Sequence, residues 1–328
     1  MRSVDHGQGG DASCLKIVER EVPQPGPGQV LIEVIAAGIN RPDLIQRLGL
    51  YPPPAGASPV LGLEVAGRIA ALGDGVTSPP VGTKICSLVP GGGYAEYCIA
   101  PAAHVLPIPI GLDFTTAAAL PETWFTVWAN LIGLACLTAG QRLLVHGGSS
   151  GIGLTAIQLA KHLGVECLVT VGSDKKAAFC REFGATAAIN YRTHDFAEEV
   201  SRLTGGQGVD VVLDMVGAPY FQRNLAVLRK DGRLVSIAYL NGSRGEVDLM
   251  PIMLKRLTVT GSTMRPRSDV EKAAIRDALL REVWPAIEHG NIHTHVERIF
   301  PLEEVAAAHL LMEGSTHIGK LVLAIRAA

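Results

Sequence analysis

The residues with the clearest chemical potential are Gly147-Gly148-Ser149-Ser150-Gly151-Ile152-Gly153, set between the apolar run Leu143-Leu144-Val145-His146 and an amphipathic stretch from Leu154. A strand, a glycine turn and the first turn of a helix in that order bring backbone N–H groups close to a phosphate, and the helix adds unsatisfied donors and the positive end of its dipole. The spacing predicts that residues 148–153 hold the pyrophosphate of a dinucleotide. Ser149 and Ser150 can cap the helix while donating to phosphate oxygens.

The same letters satisfy two other patterns. Gly147-Gly148-Ser149-Ser150-Gly151 matches Gly-x-Ser-x-Gly, which would make Ser149 a hydrolase nucleophile. Strands accumulate after this turn rather than before it, and no Asp-then-His pair stands out downstream. Gly147, Gly151 and Gly153 also match the turn of short-chain dehydrogenases, but no tyrosine has the lysine four residues on that those enzymes need.

The second predicted strand of the nucleotide domain ends at Val171, where an NAD-preferring enzyme places a carboxylate for the ribose hydroxyls. Here Gly172 and Ser173 follow, then Asp174 in the helix start, then Lys175 and Lys176. A glycine, a hydroxyl and a cation suit a 2′-phosphate, with Tyr191 after the third strand packing on it or donating to it. Ser173, Lys176 and Tyr191 therefore predict NADPH.

These residues need a scaffold. From about residue 141, apolar runs alternate with helical stretches, as in βαβ units with a buried parallel sheet. Strands are predicted at 142–146, 166–171, 187–190, 209–214, 233–238 and 258–261. The first third, rich in Gly and Pro, predicts an irregular β domain with strands at 30–36, 65–71, 84–89 and 94–99. The tail predicts a helix at 270–289, a strand at 296–300, a helix at 302–312 and a terminal strand at 319–325.

A chain of 328 residues with a formal net charge of -2 suits two packed domains and names no polyanionic partner. The first twenty residues hold no apolar leader, and the apolar stretch 114–137 is interrupted by Pro121-Glu122 and Asn130, so a cytoplasmic protein with no membrane span is expected. Six scattered cysteines form no Cys-x-x-Cys pair. His289, His293 and His295 form a loose cluster that could hold a metal, although loop and strand roles explain them as well.

The chain resembles the zinc-free quinone oxidoreductase branch of the medium-chain dehydrogenase/reductase superfamily, and within it the p53-inducible quinone oxidoreductase-like proteins. The resemblance runs through Val22-Pro23-x-Pro25-x-Pro27-Gly28, Asn40-Arg41-x-Asp43-Leu44-x-Gln46-Arg47, Tyr51-Pro52-Pro53-Pro54, Leu61-Gly62-Leu63-Glu64, Pro90-Gly91-Gly92-Gly93 and Pro121-Glu122-x-Trp124. It continues through the glycine turn, Asn190-Tyr191 and Ile318-Gly319-Lys320. It implies a GroES-like, mainly β catalytic domain over 1–120, a Rossmann domain over 121–265, and a segment 266–328 returning to the first, with NADPH in the cleft between domains. Zinc-dependent relatives carry a Cys near position 40 and a His in Gly-His-Glu; Asn40 and Leu63 stand there instead, so no metal is expected.

The implied reaction is zinc-independent reduction of a quinone or enone, by hydride or electron transfer. Tyr51, beside a stiff proline run, would stack on or hydrogen-bond the acceptor, or else cover the core. Asn40 and Asp43 would orient substrate or nicotinamide ribose, or else serve turns and caps. Thr126, Tyr239 and Leu240 would reach the cofactor. The alternatives are an enoyl or alkenal reductase with the same fold, and an NADPH-linked RNA-binding or regulatory protein, against which the balanced charge argues. A homodimer paired through the edge strand at 258–261 is expected.

Overall fold

In the computed structural model, which describes residues 1–327, the chain forms strands β1 (Arg2–Asp5), β2 (Lys16–Glu19), β3 (Gln29–Ile39), β4 (Glu64–Leu72), β5 (Lys84–Leu88), β6 (Tyr97–Pro101), β7 (Val105–Pro107), β8 (Arg142–His146), β9 (Glu166–Val171), β10 (Ala187–Asn190), β11 (Val209–Asp214), β12 (Leu228–Ser236), β13 (Thr258–Gly261), β14 (Val296–Pro301) and β15 (Lys320–Ala324). Two compact units result, one of Met1–Phe125 with the described residues from Arg265 onward, the other of Thr126–Met264. The fold is α/β, a Rossmann-like parallel sheet with a GroES-like β domain.

The Thr126–Met264 unit is built on a six-stranded sheet in the order β10-β9-β8-β11-β12-β13. Every pairing in it is parallel. That order reverses direction between β8 and β11, the crevice where open α/β sheets bind ligands. Central strands covered on both faces must be apolar throughout, and β11 is buried at every residue. Leu144, Leu168, Val212, Phe196, Leu225 and Leu234 belong to one buried cluster of this unit. Five strands have the predicted bounds. β12 differs, starting at Leu228: Val209 pairs with Leu228, an irregularity follows, and Asp231 takes a left-handed φ of 63°. The chain leaves the ladder after Ser236, where Ile237 N–H donates to Asp214 O.

In the other unit β15 lies between β14 and β3, and β3 also pairs with β4 and β6. Side chains of β3, β4 and β15 share one core with Phe300, Leu302 and Val305 from the later segment. Three local expectations are corrected here. The strand read at 94–99 is β6, because Tyr94 and Glu96 are held by the N-terminal segment: Val4 N–H donates to Tyr94 O and Glu96 N–H to Arg2 O. The helix read at 270–289 is two, Asp269–Glu282 and Trp284–Glu288, since Pro285 opens a new helix more readily than it continues one. The helix read at 302–312 begins as a 3-10 turn and runs Val305–Gly314. Among the described residues no helix is long and apolar enough to cross a membrane.

Candidate functional site

The glycine turn follows β8. Ser150 caps the helix Gly151–Leu163, its hydroxyl accepting from Gly153 N–H at 3.1 Å, while Ser149 is buried. The backbone is as close as glycines allow: a Cβ on Gly148 would lie 2.4 Å from Val169 Cβ, and one on Gly153 would lie 2.4 Å from Gly147 O. Gly151 and Ile152 N–H groups take no hydrogen bond among the described residues, as expected for the first turn of a helix. A compact cradle with outward N–H groups is chemistry for an anion. His146, the residue preceding the turn, cannot activate Ser149, because its Nδ1 pairs with Thr170 Oγ1 (2.9 Å) and its Nε2 with Asn224 Oδ1 (2.7 Å). Burial pushes His146 down to about 4.

The next strand ends bring the other expected cofactor residues to the same carboxyl edge. Ser173 caps the helix Asp174–Glu182, accepting from Lys176 N–H. Tyr191, 43% exposed, lies over Gly172: a Cβ there would meet its Oη at 2.7 Å. Asp174 turns to Asn190, whose Nδ2 donates to it at 2.8 Å, so this carboxylate is engaged beyond its helix start. Tyr239 and Leu240 are exposed, and their loop is tied to the β11 end through Leu240 N–H to Met215 O. Asp214, not foreseen as a site residue, ties that end down by accepting from Val216 and Gly217 N–H; burial lifts it to about 6. Thr126 stands apart from this edge in sequence, in the helix Pro121–Val127, with its carbonyl accepting from Asn130 Nδ2. The hydroxyl that bonds back to preceding backbone is that of Thr123, which donates to Leu120 O just before this helix.

In the other unit, Asn40 and Asp43 open the short helix Arg41–Arg47. Asp43 is fully buried, and its oxygens accept Asn40 N–H (2.8 Å), Gly62 N–H (3.1 Å) and the Tyr94 hydroxyl (3.1 Å). Burial raises it to about 6 against those donors. Its hydrogen bonds make it a strut between two chain segments. Behind Tyr94 the chain of bonds continues to His309 Nε2 (3.3 Å) and from His309 Nδ1 to Arg47 (3.2 Å). Arg47 only donates, so His309 accepts at Nδ1 and donates from Nε2.

Asn40 is equally committed: its Nδ2 donates to Glu64 Oε1 (2.8 Å) and its Oδ1 accepts from Lys320 Nζ (2.5 Å). Lys320 also reaches Glu64 Oε1 (2.6 Å) and Ile39 O (3.2 Å). The resemblance puts the metal ligands of zinc-dependent relatives at Asn40 and Leu63. Leu63 has no donor, and the oxygens of Asn40 and Glu64 already surround an ammonium, so this set does not fit zinc. Among the described residues no group of three or more His, Cys, Asp or Glu is arranged for a metal, and His289 and His295 pair with Pro285 O and Glu297.

Tyr51 is partly buried, with the Arg265 guanidinium 5.4 Å from its ring centre. Arg265 is itself fixed by Pro90 O (2.7 Å) and Gln46 Oε1 (2.8 Å). Burial and the charge of Glu122 raise the Tyr51 phenol. Glu64, Arg265 and Lys320 were not foreseen as working side chains; only the motifs containing Glu64 and Lys320 hinted at two of them.

Comparison with known proteins agrees with this architecture. The family described as alcohol dehydrogenase GroES-like domain matches residues 26–110, and that described as zinc-binding dehydrogenase matches residues 151–278. A 2-haloacrylate reductase from Burkholderia sp is 32% identical over 338 residues, covering 98% of each chain. A quinone oxidoreductase from Homo sapiens is 32% identical over 332 residues, covering 98% of this chain and 97% of the relative. The crystal structure of Escherichia coli quinone oxidoreductase complexed with NADPH superposes with a TM-score of 0.88 at 29% identity, over 99% of this chain and 100% of the other.

Proposed function

Because this chain belongs to the medium-chain dehydrogenase/reductase superfamily and is quinone oxidoreductase-like, we propose that it is an NADPH-dependent, zinc-independent reductase of conjugated carbonyl compounds, with quinones as the leading substrate class. The observation that carries the reading is the carboxyl edge of the parallel sheet. The glycine cradle after β8, the Ser173 cap with Lys176 after β9 and Tyr191 after β10 support a dinucleotide bearing a 2′-phosphate. In this reading Gly148–Gly153 hold the pyrophosphate, Ser173 and Lys176 the 2′-phosphate, Tyr191 the adenosine end, and Thr126, Tyr239 and Leu240 the nicotinamide end. NADPH supplies a hydride when bound.

The protein's part is to position a flat acceptor and exclude water. Tyr51, with its ring held by Arg265, serves as the stacking surface. Asn40 and Asp43 act by shaping that floor, since their polar atoms are bonded to Glu64, Lys320 and backbone. The 2-haloacrylate reductase relative favours a second reading, an enoyl or alkenal reductase, which differs only in the acceptor. We also propose a homodimer through β13: this edge strand is mostly exposed, and Leu249, Met250, Met253 and Leu254, which precede it in the chain, are 51–68% exposed.

The test is NADPH oxidation with 1,2- and 1,4-quinones and with α,β-unsaturated aldehydes, run beside NADH and a chelator. Chelator-insensitive oxidation of NADPH by quinones is expected. Preference for enals would move the substrate to the second reading, and binding without turnover of any acceptor would overturn the enzyme.

A further inference from the structure

Glu122 is the acidic residue of this region that the described contacts leave unexplained. Its backbone N–H donates to Glu64 Oε2 at 2.8 Å, which plants the residue beside that buried carboxylate. The residue is partly exposed, and its carboxyl accepts no hydrogen bond and makes no ion pair among the described residues. The three acidic groups here are treated differently. Glu64 is compensated by Lys320 at 2.6 Å. Asp43 is compensated by three donors. Glu122 has neither: Arg265, whose charge acts on it, spends its N–H groups on Pro90 O and Gln46.

We propose that Glu122 is the proton donor of the reaction, handing its carboxyl proton to the anion left when a conjugated carbonyl accepts hydride. The inference rests on the reductase reading above. The acceptor gains two electrons and one hydrogen as hydride from the reduced nicotinamide; the O–H bond of Glu122 then breaks, and its proton closes the O–H or C–H bond of the product. The carboxylate left on Glu122 recovers a proton from solvent, to which it is partly open.

Five further groups act on this carboxyl from the surrounding elements: Glu64 on β4, Lys320 on β15, Asp43 in the helix Arg41–Arg47, Arg265 after β13, and Lys272 in the helix Asp269–Glu282. Burial first and the Glu64 charge second lift Glu122 to about 8, with Lys320 and Arg265 pulling the other way. Such a group is an acid at neutral pH and still gives up its proton near the working pH, the condition for an efficient general acid. The charge of Glu122 acts on the Tyr51 phenol, and the reading above stacks the acceptor on that ring.

The experiment compares wild type with Glu122→Gln, which keeps the shape of the protonated acid, and Glu122→Asp, which restores an acid. NADPH affinity is read by fluorescence titration, and pH profiles of kcat/KM are recorded with an enal and a quinone. The ligand-free proteins are titrated by infrared difference spectroscopy in the carboxylic C=O region. Wild type is expected to lose enal activity as pH rises through about 8. Glu122→Gln should bind NADPH as wild type does, lose enal turnover by about 100-fold and lack the alkaline limb, with the aspartate regaining both in part. The quinone reaction should fall less, since its oxyanion takes a proton from water readily. A protonated carboxyl band present at pH 7 in wild type and missing from the glutamine variant should accompany this.

Enal turnover in Glu122→Gln within twofold of wild type, or an unchanged alkaline limb, would overturn the proton donor while leaving the reductase standing. A wild-type protein that binds NADPH but transfers hydride to none of the acceptors would overturn the reductase instead. Infrared spectra showing Glu122 ionised at pH 6 would overturn the acid whatever the turnover.

Discussion

Lys320 Nζ lies 2.6 Å from Glu64 Oε1, with both side chains withdrawn from solvent. A buried pair of this kind contributes little net stability, but removing one partner strands the other charge. Lys320→Met should cost ~3–5 kcal/mol, read from the urea midpoint, and adding Glu64→Gln should return most of it. A single-variant loss under ~1 kcal/mol would mean the pair is far better hydrated than its geometry shows.

Tyr94 couples that floor to His309. Tyr94→Phe removes one of the three donors to Asp43 and leaves His309 N–H without its acceptor. A loss of ~1–3 kcal/mol in unfolding free energy is expected. An unchanged midpoint would count against the directed Arg47–His309–Tyr94–Asp43 chain.

At the glycine cradle, Gly153→Ala would put a Cβ 2.4 Å from backbone atoms of Gly147 and Gly148. The turn must open, so NADPH binding should weaken at least about tenfold in a fluorescence titration. Gly133, which has nothing within 4 Å of an added Cβ, is the control, and Gly133→Ala should bind normally.

Lys176→Ala should raise the KM for NADPH about tenfold and leave that for NADH unchanged, since only the 2′-phosphate distinguishes the two. Equal effects on both would remove Lys176 from phosphate recognition.

The stability profile against pH has a definite sign. His146 and His309 have folded-state values pushed down to about 4 and about 3, so their contributions are present above the ordinary histidine value and fade as pH falls. Glu122 is raised to about 8, so its contribution is full below the ordinary glutamate value and is lost as pH rises through 8. Glu122→Gln should therefore gain thermal midpoint relative to wild type as pH climbs from 4.5 to about 8. A difference independent of pH would show that Glu122 titrates alike in the folded and unfolded states.

The parallel sheet was legible in the sequence almost residue by residue, because strands covered on both faces must be unbroken apolar runs closed by turns. β12 escaped in part, since its first half is the charged Arg229-Lys230-Asp231, which carries no strand signal. The β domain was less legible: β1 and β2 are four-residue strands with mixed polarity. At the candidate site, the glycine turn announces itself locally, and the strand ends that carry Ser173 and Tyr191 follow from counting strands. Glu64, Glu122, Arg265 and Lys320 come from four separated segments, so their convergence is a property of topology that spacing cannot express. Asn40 and Asp43 were open in the sequence between orienting a substrate and serving turns and caps, and their bonds give them bracing partners.

An interior strand of the seven-stranded sheet is the last strand among the described residues. β15 stands between β14 and β3, with Leu321 paired to Ile39 far back in the sequence, whereas all six strands of the parallel sheet come from one uninterrupted stretch. On the ribosome, where the chain emerges from its N-terminus, the nucleotide unit can therefore close while β3 still waits for its neighbour. Maturation has a built-in sequence, and premature termination anywhere before β15 leaves an open sheet edge as a handle for quality control.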